Sequence, residues 1–286
     1  MKKTGWLDRR ETLRRLAFGV AALPLAKLLV ACGDNGAGSS SGDDASGDDT
    51  QGTDAGNSAD GAITDGWATG GTASMTDKAS YPDPFMTASS SCVVVATTTE
   101  GPCTTVSDLA RQDVSEGWDG LPVRLALKVV DSSCSPIIGA VVKIWHTNHE
   151  GIYSGETPNP SMCNANNATY IAANFMRGVQ TTDANGVVAF DTCFPGWYNG
   201  RAIHIHFQVK NGSTTYRISQ LFFPEALTTA IFTSQPLYKT YGQPNTTFAN
   251  DNVLSPITGD ARNRLVFDYA QMTDGAMLAS KVVTVM

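Results

Sequence analysis

Two histidines one residue apart, His204 and His206, close the segment Phe194-Pro-Gly-Trp-Tyr-Asn-Gly-Arg-Ala-Ile-His-Ile-His-Phe207, which also carries Tyr198 and Arg201. In a β-strand alternate side chains share a face, so His204 and His206 point one way and Ile203, Ile205 and Phe207 the other. Two imidazoles on one pleat can chelate one ion. Taken alone, His-x-His is more commonly a strand carrying two exposed or hydrogen-bonded histidines. The company favours a metal: the chain has four histidines, His146, His149, His204 and His206, and two of them follow a Gly-rich turn that carries Gly196, Tyr198, Gly200 and Arg201. Those glycines let the backbone turn sharply enough to bring Tyr198 back toward the strand. His146 and His149 have ligand-like i, i+3 spacing for a helix, but their segment reads as strand into loop, which gives them a structural or supporting role.

Four further blocks stand in order with that segment. They are Thr99-Glu-Gly-Pro102, Pro136-Ile-Ile-Gly-Ala-Val-Val-Lys-Ile-Trp-His146, Asn148-His-Glu-Gly-Ile-Tyr-Ser154 and Phe175-Met-Arg-Gly-Val-Gln-Thr-Thr-Asp-Ala-Asn-Gly186, and a strand-like run, Tyr216-Arg-Ile-Ser-Gln-Leu-Phe-Phe223, holds Gln220. Over roughly residues 97–255 the sequence resembles the intradiol ring-cleavage dioxygenases, the non-haem ferric enzymes related to protocatechuate 3,4-dioxygenase and catechol 1,2-dioxygenase. The resemblance implies that Tyr153, Tyr198, His204 and His206 hold Fe(III), that Arg201 is the active-site arginine and that Gln220 is the active-site glutamine of the catechol branch. It implies a catechol-type aromatic diol and O2 as substrates, cleavage between the two hydroxylated carbons and a muconate-type diacid product. Tyr198 would be the ligand that leaves the metal when substrate arrives, and Tyr153 would stay. The second tyrosine is closer to the histidine pair here than in the protocatechuate and catechol branches, so the pocket wall built by that loop differs and substrate preference does not carry over.

The donor types suit the ion. Fe(III) is a hard acid that prefers anionic oxygen; two phenolates and a hydroxide balance its charge while neutral imidazoles complete the sphere. Each residue also has a plainer reading. Tyr153 could cap a sandwich edge, Arg201 could pair with a surface carboxylate, and Gln220 could be an outward polar residue on a strand. Two other functions therefore stand beside the dioxygenase: a non-catalytic β-sandwich module that binds a ligand or a surface, and a variant of the fold that holds Cu or Zn.

Positioning these residues falls to strands. Short β-rich runs recur at 123–130, 140–146, 187–191, 203–209, 215–223 and 265–269, separated by Gly, Pro, Asn and Asp turns, and long amphipathic helical patterns are missing. This spacing predicts an all-β fold, a β-sandwich of two sheets with long functional loops. The folded domain is expected over 88–286.

The N-terminal third reads differently. Residues 1–31 hold seven basic residues and an apolar stretch, an export signal. Asp8-Arg-Arg-Glu-Thr-Leu-Arg14 resembles a twin-arginine signal with Thr12 where phenylalanine is usual, and Leu29-Val-Ala-Cys32 resembles a bacterial lipobox. Lipidation of Cys32 would anchor an exported protein to a membrane face, periplasmic or exterior, without spanning it. Residues 32–87 are expected to be a disordered tether, since Gly, Ser, Ala and Asp dominate its first part and cannot bury a core. The chain is acidic, with 20 Lys and Arg against 27 Asp and Glu, and the tether supplies eight aspartates and no base between residues 33 and 66. Nothing in that balance suits nucleic acid. Cys92, Cys103, Cys134, Cys163 and Cys193 admit two disulfides and one free thiol in an exported protein, with the pairing open. No Cys-x2-Cys pair exists to build a cysteine zinc site.

Overall fold

Alternation of apolar and polar residues dictates the layers of the fold. In the computed structural model, which describes residues 66–87, 92–106 and 109–286, eight strands form two four-stranded sheets. The strands are β1 (Pro122–Val130), β2 (Val141–Trp145), β3 (Arg177–Thr181), β4 (Val187–Cys193), β5 (His204–Asn211), β6 (Thr214–Phe222), β7 (Asp268–Gln271) and β8 (Met277–Thr284). One sheet has the order β4-β1-β8-β7 and the other β3-β2-β5-β6. The expected all-β sandwich is what forms.

The core lies between the sheets. Leu125, Leu127 and Val129 of β1, Val142 and Ile144 of β2, Ile205, Phe207 and Val209 of β5, and Met277, Ala279 and Val283 of β8 belong to one buried cluster. Each fully buried aliphatic or aromatic side chain contributes about 1.5–3 kcal/mol. Because Ile205 and Phe207 point inward, the pleat turns His204 and His206 to the opposite face of their sheet. Antiparallel register then sets their neighbours: His206 stands opposite Trp145 on β2 and Gln220 on β6, and His204 opposite Phe222.

Two strands escape the sequence reading. β3 opens Arg177-Gly178, and β8 carries Ser280 and Lys281 in its middle, so neither presents a clean apolar run. The run at 265–269 becomes the shorter, later β7.

The tether expected over 32–87 is corrected at its C-terminal end. Trp67, Thr72 and Met75 are buried, and Ala68 N–H and Gly71 N–H donate to the carbonyls of Gly275 and Gly120. Tyr81 donates its hydroxyl to Asp274 at 2.7 Å, and Lys78 pairs with Asp191 at 3.0 Å. The folded region therefore includes 66–87, not only residues from 88 onward. Composition misled here because three anchors, Trp67, Met75 and Tyr81, are enough to dock a segment otherwise made mostly of small and polar residues. The export signal, Cys32 and the tether up to residue 65 lie outside the described residues.

The cysteine pairing left open by the sequence is Cys92–Cys134 and Cys103–Cys163, with Cys193 a buried free thiol.

Candidate metal centre

Two loops deliver the tyrosines to the histidine face. The first follows β2 and carries Tyr153; the second follows β4 and carries Tyr198 ahead of β5. Gly196 fastens them together, its N–H donating to the Asn148 carbonyl at 2.9 Å. A Cβ on Gly196 would stand 2.3 Å from the His149 carbonyl oxygen, so only glycine permits this approach. Tyr153 is tied further by its N–H to the Cys163 carbonyl at 2.9 Å.

Four donor atoms converge. His204 Nε2 is 3.1 Å from His206 Nε2, 3.3 Å from the Tyr153 hydroxyl and 3.3 Å from the Tyr198 hydroxyl. The two hydroxyls are 3.5 Å apart. Donors bound to one first-row ion at about 2.0–2.1 Å stand about 3–3.5 Å from each other, so these atoms fit a single ion. His204 Nδ1 lies 2.6 Å from the Ala202 carbonyl. A carbonyl only accepts, so Nδ1 carries the proton and the Nε2 lone pair faces the cluster. His206 stacks on Trp145 with ring centroids 4.8 Å apart and planes 11° from parallel. Its Nδ1 is buried, and among the described residues it has no hydrogen-bond partner to fix its tautomer. Among the described residues no group of three or more His, Cys, Asp or Glu side chains could hold a metal ion; here half of the donors are phenols.

Burial shapes the electrostatics. It holds His204 and His206 well below 6.5, so both imidazoles are neutral and competent to ligate. It raises Tyr153 well above 10, helped by the neighbouring Tyr198, and raises Tyr198 as well. Among the described residues no carboxylate hydrogen-bonds the four donors, so a cation seated among them would make both phenolates favourable there.

A second tier surrounds the four. Arg201 donates through Nη1 toward the Tyr198 hydroxyl at 3.5 Å and through Nη2 to Gln220 Oε1, while Gln220 Nε2 donates to the Thr99 carbonyl at 2.8 Å. All six residues singled out by the sequence, Tyr153, Tyr198, Arg201, His204, His206 and Gln220, thus meet in one place. Arg201 does pair with a carboxylate, but with the buried Asp251 and not a surface one. His146 and His149 stay outside: His146 bonds the Thr147 carbonyl and the Thr192 hydroxyl, and His149 lies against Trp118.

Sequence reasoning missed Asp251 and Arg177. Arg177 is buried, donates to the Ser154 carbonyl at 2.8 Å and the Cys103 carbonyl at 2.7 Å, and sets its guanidinium carbon 5.9 Å from the centroid of the Tyr153 ring. Burial pulls it down to about 10. Arg177 lies in the segment Phe175–Gly186, which is its only signal in the sequence. The Cys103–Cys163 bridge packs in one cluster with Trp145, Tyr153 and Tyr198. A cavity of about 510 Å³ lies farther along β2 and β5, lined by Lys143, Gln208 and Lys210 among others. It touches none of the four donors.

Comparison with known proteins agrees with this geometry. The family model described as "Dioxygenase" matches residues 98–284. An intradiol ring-cleavage dioxygenase from Tetranychus urticae superposes with a TM-score of 0.59 at 27% identity, covering 68% of this chain and 94% of that one. Catechol 1,2-dioxygenase 1 of Acinetobacter lwoffii is 28% identical over 139 residues, 41% of this chain and 42% of that protein. The alignment thus spans less than half the length of that relative. All four donors and both second-tier residues fall within the matched span, and the chain belongs to the intradiol ring-cleavage dioxygenase family.

Proposed function

We propose that this protein is an Fe(III)-dependent dioxygenase that cleaves catechol-type rings between the two hydroxylated carbons, both atoms of O2 entering a muconate-type diacid. One observation carries the reading: two phenol oxygens and two imidazole nitrogens, with no carboxylate among them, converge at 3.1–3.5 Å. That donor set suits a hard trivalent ion better than Zn or Cu, which draw on thiolate and imidazole. Bound Fe(III) would supply Lewis-acid polarisation of the diol and leave the ring to react with O2.

The chain's own residues do the rest. Tyr153, His204 and His206 are buried and braced, and they hold position throughout. Tyr198 is the partly exposed donor, so its oxygen is the one placed to take a proton from an incoming diol and move aside toward Arg201 Nη1. Arg201 offers fixed N–H donors where negative charge grows on the diol oxygens, a contribution worth about 3–4 kcal/mol per donor in other enzymes. Gln220 has both polar ends engaged, by Arg201 and Thr99, and acts as a rigid wall that orients the ring.

The same reading places the protein outside the cytoplasm, tethered by lipid at Cys32; two disulfides among the described residues support an oxidising compartment. The test is purification from iron-replete cells, metal analysis, visible absorption and an assay with catechol and O2. One iron per chain, a red-brown colour and a diacid product are expected. Protein holding zinc or copper in place of iron, or colourless protein holding no metal, would replace this reading with the Cu/Zn or the non-catalytic one.

A further inference from the structure

Asp251 is a buried carboxylate whose side-chain contacts outside its own turn lead to the site. Its side chain is 0% exposed. Its Oδ1 and Oδ2 lie 3.2 and 3.0 Å from Arg201 Nε, Oδ2 accepts the Ala202 N–H at 2.9 Å and Oδ1 accepts the Val253 N–H at 2.8 Å. One carboxylate therefore grips two consecutive residues just before the histidine pair. Through Ala202, whose carbonyl receives His204 Nδ1, it braces a donor of the cluster. Through Arg201 it reaches Tyr198 and Gln220.

The guanidinium is planar and rigid, so fixing its Nε edge fixes where Nη1 and Nη2 point. With Asp251 on one edge, the other faces Tyr198 and Gln220. The pair is also neutral as a unit, so Arg201 meets the site as an oriented donor and not as a loose cation. A buried charge pair holds its geometry strongly, because removing one partner strands the other.

We propose that Asp251 is a positioning residue that aims Arg201 at Tyr198 and at the bound diol, a role that rests on the dioxygenase reading above. Asp251→Asn preserves size and one acceptor oxygen for a backbone N–H but removes the charge and the two-oxygen grip on Nε. Asp251→Glu keeps the charge and shifts the grip by one methylene.

The full-length protein tests this in two ways. In metal-free protein, NMR should show a solvent-protected Arg201 Nε–H, identified by its loss in Arg201→Lys, that disappears in Asp251→Asn; persistence of that signal overturns the proposal whatever metal the protein binds. In iron-loaded protein, kcat should fall about 10- to 100-fold in Asp251→Asn with KM changed by less than about threefold. Combining it with Arg201→Lys should cost no more than Arg201→Lys alone, since the two act as a unit. Additive losses, or wild-type kcat in Asp251→Asn, overturn it. If Asp251→Asn fails to fold, Asp251→Glu carries the same expectations and the same overturning results. Wild-type protein that binds no iron would instead remove the dioxygenase reading, and the NMR arm would still decide whether Asp251 aims Arg201.

Discussion

Gly151 and Trp197 meet backbone to backbone: a Cβ on Gly151 would stand 2.0 Å from the Trp197 carbonyl oxygen. Gly151 also has φ of +78°, in the left-handed region. This contact sits two residues before Tyr153 and one before Tyr198, and it helps set the separation of the two phenols. Gly151→Ala should destabilise the protein by more than about 1 kcal/mol from the backbone conformation alone, with the clash added, and should impair iron uptake. Urea titration and metal analysis check it; wild-type values in both would detach this contact from the site.

The two tyrosines should separate by mutation. Tyr153→Phe removes the buried, braced oxygen and should lose most colour and iron affinity, while Tyr198→Phe should retain part of both. Iron uptake should also release protons and strengthen as pH rises, because burial holds both phenols protonated until a cation arrives. Metal titrations at several pH values in weakly buffered dye solution measure this. Affinity independent of pH would mean that phenolates are not the ligands.

Stability of the metal-free protein should depend on pH through His146, with the buried His204 and His206 adding in the same direction. Burial lowers His146 from 6.5 to about 4, so below about 6.5 the unfolded chain takes up a proton that the folded state refuses. Its neutral burial costs nothing above that range, and stability falls as pH drops toward about 4, by up to about 3 kcal/mol. His146→Gln should flatten that part of the profile. Denaturation of both proteins at pH values across the window compares the slopes, and parallel profiles would reject the assignment.

The disulfides should differ in what they protect. Replacing Cys103 and Cys163 by Ser loosens the strand-end loops that pack on Tyr153 and should reduce both stability and iron content. Replacing Cys92 and Cys134 should cost a comparable 2–4 kcal/mol or about that while leaving the colour of the loaded protein unchanged. Equal iron loss in the two variants would show that the Cys103–Cys163 bridge has no special tie to the site.

How much of this the sequence made legible follows from how local each feature is. β5 and β6 show themselves because their alternation is local, and the side chains of the centre show themselves because tyrosine and histidine are distinctive types at readable spacing. Asp251 is invisible for the opposite reason: it lies in an Asn-rich turn, and its role arises only when folding brings it to Arg201, fifty residues away. β8 was missed because its polar middle hides a strand that pairs in parallel with β1. The segment holding Trp67 was read as tether because composition averages over the few residues that dock.

The strand order also says when the protein can fold. The sheet that presents His204 and His206 is complete in sequence once Phe222 is made, but its partner sheet holds β8 in an interior position between β1 and β7. During synthesis the apolar face of Ile205, Phe207 and Val209 must therefore wait for residues 277–284 before its cover is whole. Such long-range closure is slow, and an apolar sheet face favours aggregation for as long as it stays uncovered. The nascent chain thus passes through a vulnerable interval that ends only with its last strand, and chaperone demand should concentrate there.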